Sequence, residues 1–207
     1  HEGIDAEVEK GGTVTVARNP AQLHRLRTGV EEAHELGIDR DLRWLDAEEA
    51  SARLQAEGVL GGTYTPHCAA INPAKLARGL AEAVERRGGR IYERSRVDGI
   101  EPASGDTPAV VRAGRGTVRS PVVVRATEAW TPTLDGYGRD LVPIYSLVVA
   151  TEPLDPRDLE PIGLGGRETF ADARNLIVYG QRTADHRLVF GGRGAPSHFG
   201  SKVAPSY

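Results

Sequence analysis

Asn72-Pro73-Ala74-Lys75-Leu76 opens a segment that runs through Leu80 and Val84 to Arg86-Arg87-Gly88-Gly89, then changes character at Arg90-Ile91-Tyr92-Glu93. The asparagine offers a side-chain acceptor to the free amides of a first helical turn, and a proline in the next position loses no hydrogen bond there. Leu76, Leu80 and Val84 recur at helical spacing, which predicts an apolar stripe. Arg86 and Arg87 complement the carbonyl end of the dipole, and Gly88-Gly89 permits a left-handed exit. Arg90–Glu93, Arg96–Glu101, Ala109–Ala113 and Val122–Ala126 then read as strands. The last opens on the apolar run Val122-Val123-Val124 and is expected to be buried and central. A helix followed by such strands predicts an α/β layer.

Upstream the pattern differs. Gly12–Ala17 alternates β-branched residues with a period of two, which suits a pleated surface and predicts a strand. Asn19-Pro20 repeats the cap-plus-proline device, and Leu23, Leu26, Val30, Ala33 and Leu36 form a stripe that stops at Gly37. Asp46 with Glu49 three residues on is a capping box, with Leu45 and Ala50 placed as a staple, so a short helix is expected over 47–55. Gly61–Pro73 reads as turn-rich. Downstream, Ile144–Thr151, Asn175–Gly180 and Arg187–Gly191 read as strands with no helix between them, the last two joined as a hairpin through Thr183-Ala184-Asp185-His186. The chain thus passes from β with helices, to α/β, to antiparallel β. That order predicts a mixed α+β fold with one domain threaded through another, with boundaries near Thr65 and Asp140: 1–65, 66–139 and 140–207.

Composition narrows the function. The chain has 207 residues, a net charge of -3 and 27% charged residues with both signs scattered, so nothing favours a nucleic-acid partner. Its single cysteine, Cys68, excludes an internal disulfide and makes a reducing cytoplasm the default expectation. No apolar run is longer than four residues, as at 147–150, and such runs fall far short of the roughly 18 or more residues of a membrane span. The first residues, His1-Glu2-Gly3-Ile4-Asp5, carry no initiating methionine, basic region or apolar core and read as a start in mid-protein.

Several chemistries lose their support. The Gly-x-Gly triplets at 114, 136, 163 and 192 each lack a third glycine three residues later, so no dinucleotide fingerprint is present. There is no phosphate loop with lysine, no cysteine pair for zinc, no His-Glu-x-x-His and no Gly-x-Ser-x-Gly. His24 and His34 lie on an amphipathic helix and read as solvent-facing. His67 beside Cys68 makes only two soft ligands, and a buried loop thiol explains Cys68 without metal. Metal is not expected.

An ordered set of segments nonetheless resembles the D-amino-acid oxidase and glycine oxidase family of flavoenzymes. It comprises Gly11–Ala17 before a Gln-Leu helix, Gly62–His67, Asn72–Leu76, Gly89-Arg90-Ile91, Val97–Ile100, Val122–Trp130, Val148–Leu154 and Arg187–Arg193. The resemblance implies a partial FAD-binding, Rossmann-like layer interleaved with an antiparallel-sheet substrate domain. It implies FAD as cofactor, a small amine or amino acid as substrate, and no nucleic-acid or membrane partner, while leaving a homo-oligomer open. The implied reaction is hydride transfer from the carbon bearing the amine to the flavin, then imine hydrolysis and peroxide release.

The resemblance also places residues. Val97 would meet the adenine through its main chain. Ala126 and Thr127 would lie close to the phosphates and ribityl chain, with Trp130 packed beside them; the same residues also read as a buried strand ending in a turn, with Trp130 as core. Tyr145 would face the bound amine or serve as strand packing, and Arg193 would pair with a substrate carboxylate or stand as an exposed hairpin-end arginine. Catalytic residues are not identified. The sequence departs from the family pattern at Arg125, where a small or apolar residue is usual, and at Glu128, where glycine is frequent. The family's glycine-rich first turn and its C-terminal glycine-rich segment are expected to lie outside these residues, so this chain alone is expected to be flavin-free and inactive. A non-catalytic binding or oligomerisation module and a flavin dehydrogenase with another acceptor remain alternatives.

Overall fold

The expected caps close where the residues place them. The computed structural model describes residues 2–114, 116–142, 144 and 146–193. Helix α1 spans Pro20–Glu35, with the Asn19 side chain accepting from the Gln22 amide at 2.9 Å. Helix α2 spans Ala47–Arg53 and has the full capping box: the Glu49 amide donates to Asp46 Oδ1 at 2.9 Å and the Asp46 amide to Glu49 Oε2 at 3.0 Å. Helix α3 spans Pro73–Arg86, its Lys75 amide donating to Asn72 Oδ1 at 3.1 Å. Gly88 takes the left-handed exit at φ 85°. The α3 stripe is less buried than its spacing predicts: Ala83 is its buried residue, while Leu80 and Val84 are half exposed.

The strands are β1 (Thr13–Ala17), β2 (Arg43–Leu45), β3 (Gly61–Thr65), β4 (Val97–Glu101), β5 (Ala109–Ala113) and β6 (Gly116–Ser120), followed by β7 (Ser146–Ala150), β8 (Thr169–Asp172), β9 (Val178–Arg182) and β10 (Leu188–Arg193). A short helix α4 (Pro156–Leu159) lies between β7 and β8, where no helix is expected. The described residues fall into two compact units, 2–84 with 146–193, and 85–142 with 144.

The first unit is built on a seven-stranded sheet in the order β2-β3-β1-β8-β9-β10-β7. It is antiparallel except at one seam, where β1 runs parallel to β8. The segment read as turn-rich therefore contains a strand, β3, and the reason is its glycines. Gly62 sits where an added Cβ would come within 2.6 Å of the Thr15 carbonyl oxygen and 3.3 Å of the Ala50 methyl, so the bare backbone lets α2 pack on the sheet.

Side chains alternate across a pleat, so directly opposite residues share a face. One row on one face is Tyr64, Val14, Phe170, Gly180, Phe190 and Val149. The core lies on this face: Val14, Val16, Leu45, Phe170 and Leu188 pack with Ala50, Leu54, Leu159 and Leu164. Each fully buried leucine, such as Leu159 or Leu164, contributes roughly 1.5–3 kcal/mol. Beside it, the Arg53 guanidinium stacks 3.9 Å from the Tyr64 ring centroid and reaches Glu168 at 3.5 Å, so a largely buried carboxylate is paired.

The second unit carries the three-stranded antiparallel sheet β4-β5-β6. Two expectations fail in it. Arg90–Glu93 forms no strand, and its turn at Glu93-Arg94 has Arg94 at φ 52°. Val122–Ala126 is neither a strand nor buried: Val122 is 71% and Val124 82% exposed. A central strand needs neighbours on both edges, and among the described residues none pairs with this one.

Candidate functional site

The residues named for the cofactor all lie in the second unit. Val97 begins β4 opposite Ala113, half-buried, next to a register shift between Val97 and Gly99. Ala126 and Thr127 lead into a 3-10 turn over Glu128–Thr133. Thr127 is tied into that turn, its hydroxyl 2.9 Å from the Thr131 hydroxyl and its carbonyl accepting from the Trp130 amide at 2.9 Å. Ala126, Thr127 and Trp130 are thus brought together on one segment, while Val97 stands on the separate sheet. Trp130 is 73% exposed and is not packed as core.

The two departures from the family pattern have local explanations. Glu128 sits at φ 40°, in the left-handed region that glycine occupies without cost, which accounts for glycine being frequent there. Arg125 fits because it is satisfied: both terminal nitrogens lie 3.3 Å from Asp140 Oδ2, and its guanidinium is 4.0 Å from the centre of the Tyr137 ring. For an FAD, the small exposed Ala126, the positive φ at Glu128 and the exposed indole form a segment with little side-chain cover over its backbone. Such a segment suits close backbone approach by a ligand, so these residues fit the group.

The first unit holds a cavity of about 350 Å3 on the core face of the sheet. Its walls are Val16, Leu54, Leu164, Phe170, Val178 and Phe190, and its polar residues are Arg18, Gln55, Asp172 and Arg174. The Phe170 and Phe190 rings meet edge to face at 5.3 Å. They can do so because the residue between them is Gly180, where an added Cβ would come 2.4 Å from Phe170 Cζ. Arg18 closes β1: its Nε donates to the Glu57 carbonyl at 2.6 Å and its amide to Gln22 Oε1 at 2.7 Å. At the end of β8, Asp172 Oδ2 pairs with Arg174 Nε at 2.5 Å.

None of the cavity residues is singled out by sequence motif. The usable signal is a glycine inside a strand pattern, Gly180, which marks close approach by another group. Arg193 alternates onto the opposite face from Phe190 and lies exposed at the end of β10, so the structure does not bring it to the cavity. Tyr145 lies outside the described residues.

A second, open depression is lined by Val8, Lys10, His67, Cys68 and Ala69. There His67 Nε2 binds Asp41 Oδ2 at 2.7 Å and Cys68 Sγ lies 3.3 Å from the Thr169 hydroxyl. Among the described residues no group of three or more His, Cys, Asp or Glu could hold a metal, and no helix is long and apolar enough to cross a membrane. Carboxylates with displaced titration lie outside the cavity. Glu7 is held low by the Lys75 ammonium and the Asn72 amide, Asp39 by His34, and Asp185 by Thr183 and Arg187.

One unit thus holds a large mixed sheet with an apolar cavity, and the other a small antiparallel sheet and an exposed small-residue turn. The profile described as FAD dependent oxidoreductase, DAO, matches residues 1–206, and the chain belongs to that family. It is 32% identical over 194 residues to the gamma-glutamylputrescine oxidoreductase of Escherichia coli K12, covering 91% of this chain and 43% of that protein. It is 28% identical over 196 residues to the glycine oxidase of Geobacillus kaustophilus, covering 88% and 49%. The crystal structure of glycine oxidase from Geobacillus kaustophilus superposes with a TM-score of 0.74 at 23% identity, over 98% of this chain and 52% of that one. L-proline dehydrogenase from P. horikoshii gives 0.76 at 18% identity, over 100% and 54%. The chain therefore spans about half the length of these relatives.

Proposed function

We propose that this chain is part of an FAD-dependent oxidase that breaks a C–N bond in a small amine or amino acid. The observation that carries the reading is the segment Ala126-Thr127-Glu128, with a small exposed residue beside a left-handed backbone position, within a chain of this family. Bound FAD would accept hydride from the carbon bearing the amine and return its electrons to oxygen as peroxide, while water hydrolyses the released imine. The chain's own residues orient and shelter. The backbone at Val97 and at Ala126–Glu128 would lie along the cofactor, with the Arg125–Asp140 pair fixing the approach to the turn. The apolar face of the large sheet would exclude water from the amine. The relatives named for gamma-glutamylputrescine and glycine support an amine or amino-acid substrate.

We further infer that the 207-residue chain by itself retains FAD poorly, because no Gly-x-Gly-x-x-Gly turn occurs in it to neutralise the pyrophosphate. A purified chain absorbing in the flavin band would refute this. The oxidase reading is tested on protein spanning the full length of the relatives, by coupled peroxide assay with a panel of amines and amino acids. Amine-dependent peroxide supports it. Flavin reduction by amine with no peroxide in air would make the protein a dehydrogenase.

A binding module is the second reading, favoured by β7, an edge strand whose five residues are all exposed, Leu147, Val148 and Val149 among them. Concentration-dependent sedimentation without flavin uptake would favour it.

A further inference from the structure

Each sheet of the molecule ends in two edge strands, whose outward amides and carbonyls are open to pairing with another chain. Three of these four edges carry features that discourage it. β2 is three residues long and begins with Arg43, and the Arg27 guanidinium lies 5.2 Å from the Trp44 ring centroid. β4 has a register shift between Val97 and Gly99 and bears Asp98 and Glu101. β6 bears Arg119. β7 has none of these. Its sequence, Ser146-Leu147-Val148-Val149-Ala150, holds no charge and no proline, its register against β10 is unbroken, and all five residues are exposed. Its side chains are also short of partners within the molecule. Leu147 stands opposite Gly192 and Val148 opposite Gly191, so β10 offers neither of them a side chain, and they remain 48% and 58% exposed. Cross-strand side-chain pairs stabilise a sheet locally, and the pairs these residues lack can form only across the open edge.

We propose that β7 pairs with β7 of a second copy of this chain, antiparallel about a two-fold axis at Val148. The strand is self-complementary in that register: Val148 meets the partner's Val148, Leu147 the partner's Val149, and Ser146 the partner's Ala150. No charges meet. The nearest is Glu152, two residues beyond the strand, and the position opposite it in this register is Ile144. The two Arg193 side chains, beside Ser146 on β10, fall at opposite ends of the joint. A foreign strand would have to match this neutral pattern separately, whereas a second copy matches it by symmetry. Leu147 and Val149 lie on the face of Val178 and Phe190, so pairing joins the apolar strips of the two copies into one. It also consumes the one unguarded edge among the described residues, so assembly stops at the dimer. Five residues a side is far fewer than the roughly 20–30 of a standard interface, so the dimer is weak, with a Kd on the order of tens of micromolar. The proposal rests on the edge that favours the binding-module reading, names its partner, and holds equally for an oxidase.

Sedimentation equilibrium from about 1 to 500 μM, on this chain and on protein spanning the full length of the relatives, reads the mass directly. Both are expected to pass from monomer to dimer and no further. Val148→Lys sets two ammonium groups opposite each other at the axis and should raise Kd at least about tenfold. Val148 is exposed, so this variant keeps the fold. Val148→Glu alone should weaken the dimer in the same way. Mixed in equal amounts, the two variants should form a heterodimer within about threefold of the parent's affinity, because the two-fold register sets position 148 against itself. A monomer at every concentration, a dimer of this chain that is lost at full length, or association beyond the dimer overturns the proposal. So does an unchanged Kd in Val148→Lys, or no recovery in the mixture. Absence of the dimer alongside amine-dependent peroxide removes the edge pairing and leaves the oxidase reading. A dimer of the full-length protein with no flavin uptake and no peroxide does the reverse.

Discussion

Replacing Gly180 by alanine tests whether the cavity wall is shaped by the absence of one methyl group. Gly180 lies in β9 directly opposite Phe170 on one side and Phe190 on the other. A Cβ there would stand 2.2 Å from the Val189 carbonyl oxygen, 2.4 Å from Phe170 Cζ and 2.8 Å from Phe170 Cε1. The ring can rotate away, but the carbonyl belongs to the paired strand and cannot. Overpacking of this kind costs about 1–3 kcal/mol. Displacing Phe170 from its edge-to-face contact with Phe190 puts a further ~0.5–1.5 kcal/mol at risk. For a chain of this size each kcal/mol lowers Tm by roughly 2–4 °C, so a drop of roughly 2–12 °C is expected from the overpacking alone. Differential scanning calorimetry reads it, with Gly165→Ala as the control, because an added Cβ at Gly165 meets nothing within 4 Å. Phe170→Ala on top of Gly180→Ala should recover only part of the loss, since the carbonyl clash remains. A Gly180→Ala chain as stable as the parent refutes the close-approach argument, and with it the claim that this glycine sets the width of the cavity.

Asp46→Ala should cost about 0.5–2 kcal/mol by removing the α2 capping box, while Asp46→Asn retains most of it; urea denaturation of the two variants separates cap from charge. Glu128→Gly should raise stability by about 1 kcal/mol or less, since a left-handed residue costs roughly 1–2 kcal/mol and glycine returns part of that as unfolded-chain entropy. The Glu7–Lys75 pair, 2.5 Å apart, gives a two-sided pH dependence. Glu7 is depressed below its ordinary 4.5, so its contribution is complete above that value and is lost as pH falls through the depressed one. Lys75 is raised above 10.5, so its contribution is complete below that value and is lost as pH rises through the raised one. Exchange of the Glu9 and Ala70 amides, which bridge the N-terminal segment to the loop before α3, should quicken at both extremes in the parent. In Lys75→Gln that pH dependence should largely vanish.

The helices were legible because their signals are local. Asn19, Asp46 and Asn72 each cap the turn that follows them, and each does so with its own side chain. The Thr183–His186 hairpin was legible for the same reason, its strands pairing Leu188 with Arg182. Burial was not, because it depends on what arrives from elsewhere. Val122–Ala126 has the composition of a central strand and no neighbour among the described residues, and β3 looked like loop because its glycines answer to α2 and β1. The cavity was illegible for a related reason. Arg18, Asp172 and Arg174 are ordinary strand-end residues until the parallel seam puts Val16 beside Asp172. The positive φ at Glu128 was not read from the sequence either, although a frequent glycine at that position is consistent with it.

That parallel seam also sets an order of events. Thr13 pairs with Thr169, so β1 lies beside a strand that leaves the ribosome only after residues 85–142 have been made. A newly synthesised chain can form the β2-β3-β1 meander early, yet it must leave one long edge of β1 open while residues 85–142 emerge. Closing a loop of that length is slow compared with forming a hairpin. During that wait Val14 and Val16, buried in the finished core, have no roof from Leu159, Leu164 or Phe170. Slowing translation across residues 85–142 is expected to lengthen the exposure of that edge and to raise the share of nascent chains recovered in the pellet on sedimentation.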